Sequence, residues 1–340
     1  MSTNAPTAGG PRRLTLVTNP DDCNLACGMC PCGAARAGGR ARRPARRMDP
    51  ALALDVLEER RGTPLVEVIP STMGEPLLWA GLPSLVARSA AQGFLLNLVT
   101  NGTWPGRGAA EWAERLLPVA RDVKISWNGA TAGTAEAIMP GLRFERAVAG
   151  VRTLVKARDR LARRGARRCT VSFQVTAQEA NVGELPAIID LARRLGVDRV
   201  KLNHLQIRSP ALAASSLRRS PDAIRRWNAA VRAARELAAA AGDAAAPALE
   251  NAVELRPDPA NPAPLGPCPF VGREAWIHPD GRFAPCPHPA AAAGGLGDFG
   301  SVAHASLRAL WAAAPFRDFV ARHLEHPVCR ACTFRRPGGA

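Results

Sequence analysis

Short apolar runs separated by longer amphipathic stretches set the pattern of the first two thirds of the chain. Residues 14–18, 65–69, 95–99, 123–127 and 200–205 are apolar runs of strand length. Residues 169–175 alternate, with Val171, Phe173 and Val175 on one face and Ser172 and Gln174 on the other. Helical periodicity fills the intervals 51–61, 82–92, 109–120, 144–164 and 184–195, and the 144–164 helix has a basic solvent face. Asp49-Pro50 offers an N-cap and a first-turn proline. Gly93 and Gly196 close two of the helices. Strands that alternate with helices imply a parallel sheet, so the pattern predicts an α/β fold of six strand–helix units.

After residue 205 the alternation stops. A helix is predicted over 221–241, then an Ala- and Pro-rich connection over 242–267 with a short strand near 253–255. The chain changes character at Cys268. Residues 275–286 read as strand, Pro279-Asp280-Gly281 turn and strand, a β-hairpin. A loop over 296–300 and a helix over 306–323 follow, the helix bearing Leu307, Leu310, Trp311 and Phe319. The expected division is a disordered tail at 1–13, a core at 14–241, a linker at 242–267 and a small cysteine-rich α+β domain at 268–340.

Composition sharpens this picture in three ways. A hydrophobic content of 47% in 340 residues supports a folded chain with one large domain and a smaller one. The net charge of +16 comes almost wholly from arginine, since Lys124, Lys156 and Lys201 are the only lysines. Both a GC-rich coding bias and a functional basic surface account for that charge. No apolar leader and no run of membrane-spanning length is present, and nine clustered cysteines favour metal or redox sites over disulfides. The expected location is the cytoplasm.

The chemistry centres on Cys23, Cys27 and Cys30, a C-x3-C-x2-C run directly after the first apolar segment. Three thiolates are too few for a closed tetrahedral zinc site. They suit three irons of a cubane whose fourth iron is open, while a zinc knuckle remains the alternative. Cys32, two residues further on, reads as a free thiol, with a rescue or alternative ligand as the second reading, and Cys169 reads as a core residue. Residues 34–47 hold six arginines: Arg36, Arg40, Arg42, Arg43, Arg46 and Arg47. They are either a solvated segment or a means of capturing an anionic substrate. Four further cysteines, Cys268, Cys286, Cys329 and Cys332, frame the C-terminal hairpin and helix, and by themselves suit zinc and iron–sulfur equally.

The cysteine triplet, at this spacing and place, resembles the radical S-adenosylmethionine (radical SAM) superfamily. Further motifs follow in the family's order. Residues 73–76, Met-Gly-Glu-Pro, resemble its GGEP motif at the end of the second strand, with Met73 replacing a glycine. Thr100-Asn101-Gly102 ends the third strand, and Ser126-Trp127-Asn128-Gly129 stands where the family often has Ser-x-Asp-Gly. The resemblance implies a partial (β/α)6 TIM-like barrel. It also implies a 4Fe–4S cluster on Cys23, Cys27 and Cys30 that chelates S-adenosyl-L-methionine and cleaves it to a 5′-deoxyadenosyl radical. Met29 would pack near the adenine in place of the usual aromatic residue. Gly74, Glu75 and Pro76 would meet the amino group of the methionine moiety. Ser126, Asn128 and Gln174 would face its carboxylate and ribose. The C-terminal cysteines resemble the SPASM and twitch extensions, and four of them imply one auxiliary 4Fe–4S cluster, the twitch number.

The functional expectation is hydrogen abstraction within a redox, dehydrogenase-like step on a small natural-product or aminocyclitol substrate. An electron donor such as flavodoxin or ferredoxin would feed it. Maturation of a ribosomally made peptide or a protein is the alternative. The first strand begins near residue 14, which is expected to leave no room for a leader-recognition or cobalamin-binding domain. RNA modification finds no basic stripe interleaved with aromatics, so nucleic acid is not an expected partner. A zinc-stapled binding protein is the non-enzymatic reading. His278 and His288 are possible bases but belong equally to a surface or supporting role, and His204 reads as a core or rim histidine.

Overall fold

The computed structural model describes residues 6–33, 45–58, 62–70, 73–207, 209–240, 246–256, 266–332 and 334–335. The sheet strands are β1 (Arg13–Leu16), β2 (Glu67–Pro70), β3 (Leu95–Thr100), β4 (Ala120–Ser126), β5 (Thr170–Ala177) and β6 (Arg199–His204). Three more follow: β7 (Ala248–Glu250), β8 (Glu274–Ile277) and β9 (Phe283–Ala284). All nine join one sheet in the order β7-β6-β5-β4-β3-β2-β1-β8-β9. Every pair is parallel except the β8–β9 hairpin, so six strand–helix units were legible from the apolar pattern.

The helices between strands are α1 (Pro50–Glu58), α2 (Leu82–Gln92), α3 (Gly108–Leu116), α4 (Ala132–Ile138), α5 (Phe144–Arg163), α6 (Leu185–Leu195) and α7 (Pro221–Ala240). They bury one face of the sheet, where Leu14, Leu16, Val68, Leu96, Leu98 and Val123 are fully enclosed. Both predicted glycine stops hold. Gly93 and Gly196 take left-handed backbone and return their N–H groups to the last helical turn.

Alternation along the strands puts a different chemistry on the other, concave face. Arg13 of β1 pairs with Glu67 of β2 (2.9 Å) and Glu274 of β8 (2.6 Å). Asp122 of β4 accepts from Ser172 Oγ of β5 (2.8 Å) and is paired with Arg199 of β6. Lys201 of β6 reaches Glu250 of β7 (2.6 Å). These side chains sit at or near the N-terminal ends of their strands and form an ionic floor to the barrel.

Four elements differ from expectation. The seven-residue α4 has too little apolar surface to show periodicity, and Thr131 caps it by accepting from the Thr134 N–H (3.3 Å). The late strand is β7, not 253–255. Trp227 Nε1 donates to Val253 O, and Asn228 bonds Leu255 through both its amide oxygen and its nitrogen, so that segment is tied to α7 instead of the sheet. The predicted 306–323 helix is two, α9 (Leu307–Ala312) and α10 (Ala314–Arg322), after the short α8 (Pro289–Ala292). Ala313 is extended two residues before Pro315, which sits in the first turn of α10. Finally, the hairpin is not set apart from the core, because β8 pairs along the whole of β1. Phe283, Phe299, Trp311 and Phe316 pack together beneath it, with ring centroids 4.7 to 6.2 Å apart.

Candidate functional site

The cysteine triplet hangs between the C-terminal ends of β1, β2 and β3. Asn19, just past β1, donates through Nδ2 to the backbone oxygens of Glu75 (2.8 Å) and Asp22 (3.3 Å). The Glu75 N–H donates in return to Asp22 O (2.8 Å). Gly74 therefore lies against the loop so tightly that a Cβ would stand 2.0 Å from Asn19 O, and its φ is +71°. The absence of a side chain at Gly74 lets the β2 end pack directly on the cysteine loop.

Glu75 is fully buried. Its carboxylate accepts from Leu77 N–H (3.2 Å), Thr100 Oγ1 (2.8 Å) and Asn101 N–H (2.7 Å), joining the ends of β2 and β3. Burial outweighs these bonds and pushes the carboxyl up to about 7. Asn101 then reaches the loop, donating to Asn24 Oδ1 (2.8 Å) with Cys23 Sγ 3.6 Å away. Arg46 pairs with Asp21 (2.7 Å) and Arg47 with Asp22 (2.8 Å) at the base of the loop. Those two arginines are paired with carboxylates of the cysteine loop itself. Arg36, Arg40, Arg42 and Arg43 lie outside the described residues.

Cys23, Cys27 and Cys30 are half-buried, while Cys32 is enclosed. Burial, then the nearby Cys30 and Cys23, pushes the Cys27 thiol up to about 12, and burial also raises Cys23. Residues 31–33 form a helical turn in which Gly33 packs on the loop, since a Cβ there would lie 2.2 Å from Cys27 O. The three thiols are thus held near one another, and binding a metal would release their protons.

The second group lines one shared recess. Cys286 follows β9, Cys268 precedes β8, and Cys329 lies in α11 (Pro327–Arg330), three residues before Cys332. Burial and then the charges of Cys268, Cys329 and Cys332 push Cys286 up to about 12. Burial likewise takes Cys329 to about 11 and raises Cys332, while the Arg335 guanidinium opposes both shifts. His288, Phe270 and Phe334 complete much of the wall. Among the described residues, no three His, Cys, Asp or Glu side chains converge as they would on one ion. Four thiols around a recess fit a cluster, in which each thiolate meets a different iron.

The remaining expected contacts are divided. Ser126 and Gln174 are register partners on β4 and β5 and are half-buried on the concave face. Met29 is half-buried, with Gln178 Nε2 3.6 Å from its sulfur. Pro76 is buried and starts a short helical turn. Asn128 is enclosed instead. Its Oδ1 accepts from the Thr176 N–H (2.8 Å), and Nδ2 lies 3.2 Å from Met139 Sδ. Its amide braces β4 against β5.

Residues 20–164 match the family model of the radical SAM superfamily. This chain carries a radical SAM domain. Residues 268–333 match the SPASM iron–sulfur cluster-binding domain, which makes 4Fe–4S clusters and SAM the cofactors of this radical SAM protein. Pre-heme d1 synthase of Dinoroseobacter shibae is 33% identical over 135 residues, 39% of this chain and 30% of that relative. The fold is similar to Streptococcus suis SuiB solved with its precursor peptide SuiA, at TM-score 0.64 and 14% identity over 96% of this chain and 70% of that one. It is also similar to anSMEcpe with bound AdoMet, at TM-score 0.60 and 12% identity over 94% and 88%. No helix among the described residues is long and apolar enough to cross a membrane.

Two amides near the strand ends were not singled out from the sequence, Asn19 and Asn181, whereas Asn101 was read as part of the Thr-Asn-Gly end of the third strand. Asn181 donates to the backbone oxygens of Asn128 and Thr176 (both 3.1 Å). The available signal is positional, an amide at or just past the C-terminal end of an apolar run. His204 packs on Trp227 (4.4 Å), where burial pulls it down to about 4, and Cys169 is buried. His278 is nearly buried at the end of β8, with no partner on Nε2.

Proposed function

We propose that Cys23, Cys27 and Cys30 hold the SAM-binding cluster, and that Cys268, Cys286, Cys329 and Cys332 hold one auxiliary cluster. The functional core is 14–241 and the auxiliary unit 268–340. The closed set of four thiols around the C-terminal recess carries the reading. A cluster with a thiolate on every iron has no open position for substrate, so its role is to accept an electron. The other two cysteines cannot serve a further cluster, since Cys32 and Cys169 lie in the triplet loop and the barrel wall.

When bound, SAM and its cluster supply a 5′-deoxyadenosyl radical that takes a substrate hydrogen atom, leaving an electron for the auxiliary cluster and a proton for solvent or a base. The chain's residues supply position. Glu75, Asn19 and Asn101 hold the triplet loop, and Gly74, Pro76, Met29, Ser126 and Gln174 border the space for SAM. Asn128 acts indirectly by bracing that wall. The net reaction is oxidation of a small substrate such as an aminocyclitol alcohol, with flavodoxin or ferredoxin as reductant. Peptide maturation is the second reading, favoured by the likeness to a fold solved with a precursor peptide.

The test is iron and sulfide content after anaerobic reconstitution, with 5′-deoxyadenosine formation under dithionite. Wild type is expected to hold about eight irons. The C23A/C27A/C30A variant is expected to hold about four and to form no 5′-deoxyadenosine. Stoichiometric zinc without SAM cleavage would overturn the reading. Mass loss of two hydrogens from a peptide, with small alcohols inert, would select the second.

A further inference from the structure

Two of the three lysines in a chain of 42 arginines stand on the concave face of the barrel. Lys124 lies on β4 between Asp122 and Ser126, and Lys201 on β6 is the register partner of Gln174. Lys124, Ser126, Gln174, Thr176, Lys201 and Asn203 are all half-buried, a polar wall above the ionic floor. A barrel interior is ordinarily packed with branched apolar side chains. This wall instead carries hydrogen-bonding groups that keep part of their surface exposed.

The cations of this face are not equally matched. Arg13 has Glu67 and Glu274, Arg199 has Asp122, and Lys201 has Glu250. Within 4 Å, Lys124 has among the described residues only Asp122 at 4.0 Å, a carboxylate that already takes Arg199 and Ser172 Oγ, while Glu250 and Glu274 act on it from further away. The Lys124 side chain is 14% exposed, and its ammonium makes no hydrogen bond among the described residues. A desolvated, poorly paired ammonium is unfavourable and gains most from an added anion. Burial accordingly pulls Lys124 below the ordinary lysine range, and Lys201, Arg13 and Arg199 add to the pull against Asp122. Lysine suits the task, because a compact ammonium on a flexible stem can meet a carboxylate inside a narrow wall.

We propose that Lys124 is the anchor for a carboxylate of the substrate, with the amides and hydroxyls of the β4–β6 wall beside it. This rests on the reading above that the barrel interior receives the substrate. It places anion recognition in the barrel wall, whereas Arg46 and Arg47 of the arginine-rich segment are engaged at the loop base. A carboxylate has two sources here, the substrate and SAM itself, and the test separates them.

Three lysines give three side-chain signals in protein labelled with 13C-lysine. The oxidised, reconstituted enzyme, saturated with SAM, is titrated with acetate and with acetamide as the neutral control. K124Q, K156Q and K201Q assign the signals. The Lys124 signal is expected to shift saturably with acetate and not with acetamide, while exposed Lys156 on α5 stays still. K124Q is expected to weaken acetate binding at least tenfold by calorimetry. Equal shifts at Lys124 and Lys156, or none at Lys124, would overturn the assignment. So would a Lys124 signal moved by SAM and then indifferent to acetate, which would give the lysine to the cosubstrate. 5′-Deoxyadenosine formation by the wild type is read separately. Its absence alongside an acetate-responsive Lys124 would sink the enzymatic reading and leave the carboxylate site standing.

Discussion

Glu75 shows how a single side chain can serve a site without facing it. Its two carboxylate oxygens gather donors from its own turn and from the end of β3, and its backbone grips the cysteine loop. Its folded value of about 7 lies above the ordinary 4.5. The folded state therefore binds its proton more tightly than the unfolded state does. The resulting stabilisation is complete below about 4.5 and is lost as pH rises to about 7. In the cluster-free chain, the urea-derived stability of wild type should fall across that window by on the order of 3 kcal/mol relative to E75Q. Parallel pH profiles for the two proteins would contradict this account. Gly74 belongs to the same assembly, and the GEP motif was readable in sequence because its residue types are local. The partners that give it meaning, Asn19 and Asn101, are distant in sequence, and only Asn101 lies in a motif of its own, the Thr-Asn-Gly end of β3.

Among the elements, the β1–β8 pairing has the largest consequence. It brings a strand from after residue 270 against the first strand of the fold, with Arg13 between Glu67 and Glu274. Glu274 is buried, and burial raises its carboxyl above the ordinary range against the pull of Arg13. Removing the guanidinium leaves the enclosed Glu274 without its paired cation and Glu67 with Arg121 alone (3.3 Å). R13A should therefore destabilise by about 2–4 kcal/mol, less than a wholly enclosed pair because Arg13 keeps solvent contact. E274Q in that background should recover part of the loss, by thermal or urea denaturation. Equal stability of R13A and wild type would remove the pair from the account of how the hairpin docks. The hairpin itself was plain from Pro279-Asp280-Gly281 between apolar runs. Its docking partner was not, since parallel pairing has no turn to announce it.

At the scale of the whole molecule, the cysteine-rich end is part of the barrel's sheet. One continuous hydrogen-bonded edge links the strand that leads to the first cysteine group with the hairpin that leads to the second. The Val17 N–H even donates to Ile277 O (2.9 Å), just ahead of the triplet loop. Truncation after residue 267 should therefore expose the edge of β1 and yield aggregated or unfolded protein, seen by size exclusion and circular dichroism. A monomeric, SAM-cleaving truncation would show instead that the two units fold independently. The family match to the SPASM domain begins at residue 268, so the functional boundary and the sheet boundary do not coincide.

What the amino-acid order determined by itself is local. Apolar runs of strand length between amphipathic helices required a parallel α/β sheet, because those periods bury one face each. The two cysteine groups announced metal chemistry, because closely spaced thiolates are metal ligands, and the family resemblance implied iron–sulfur in place of zinc. Tertiary structure alone decided which distant groups meet. It turned Asn128 inward to brace two strands, engaged Arg46 and Arg47 at the loop base, and moved the last barrel strand to β7. It left Lys124 poorly paired inside the barrel while every neighbouring cation found a carboxylate. Pairing and burial depend on register between strands far apart in the chain, and no short window of sequence contains that register.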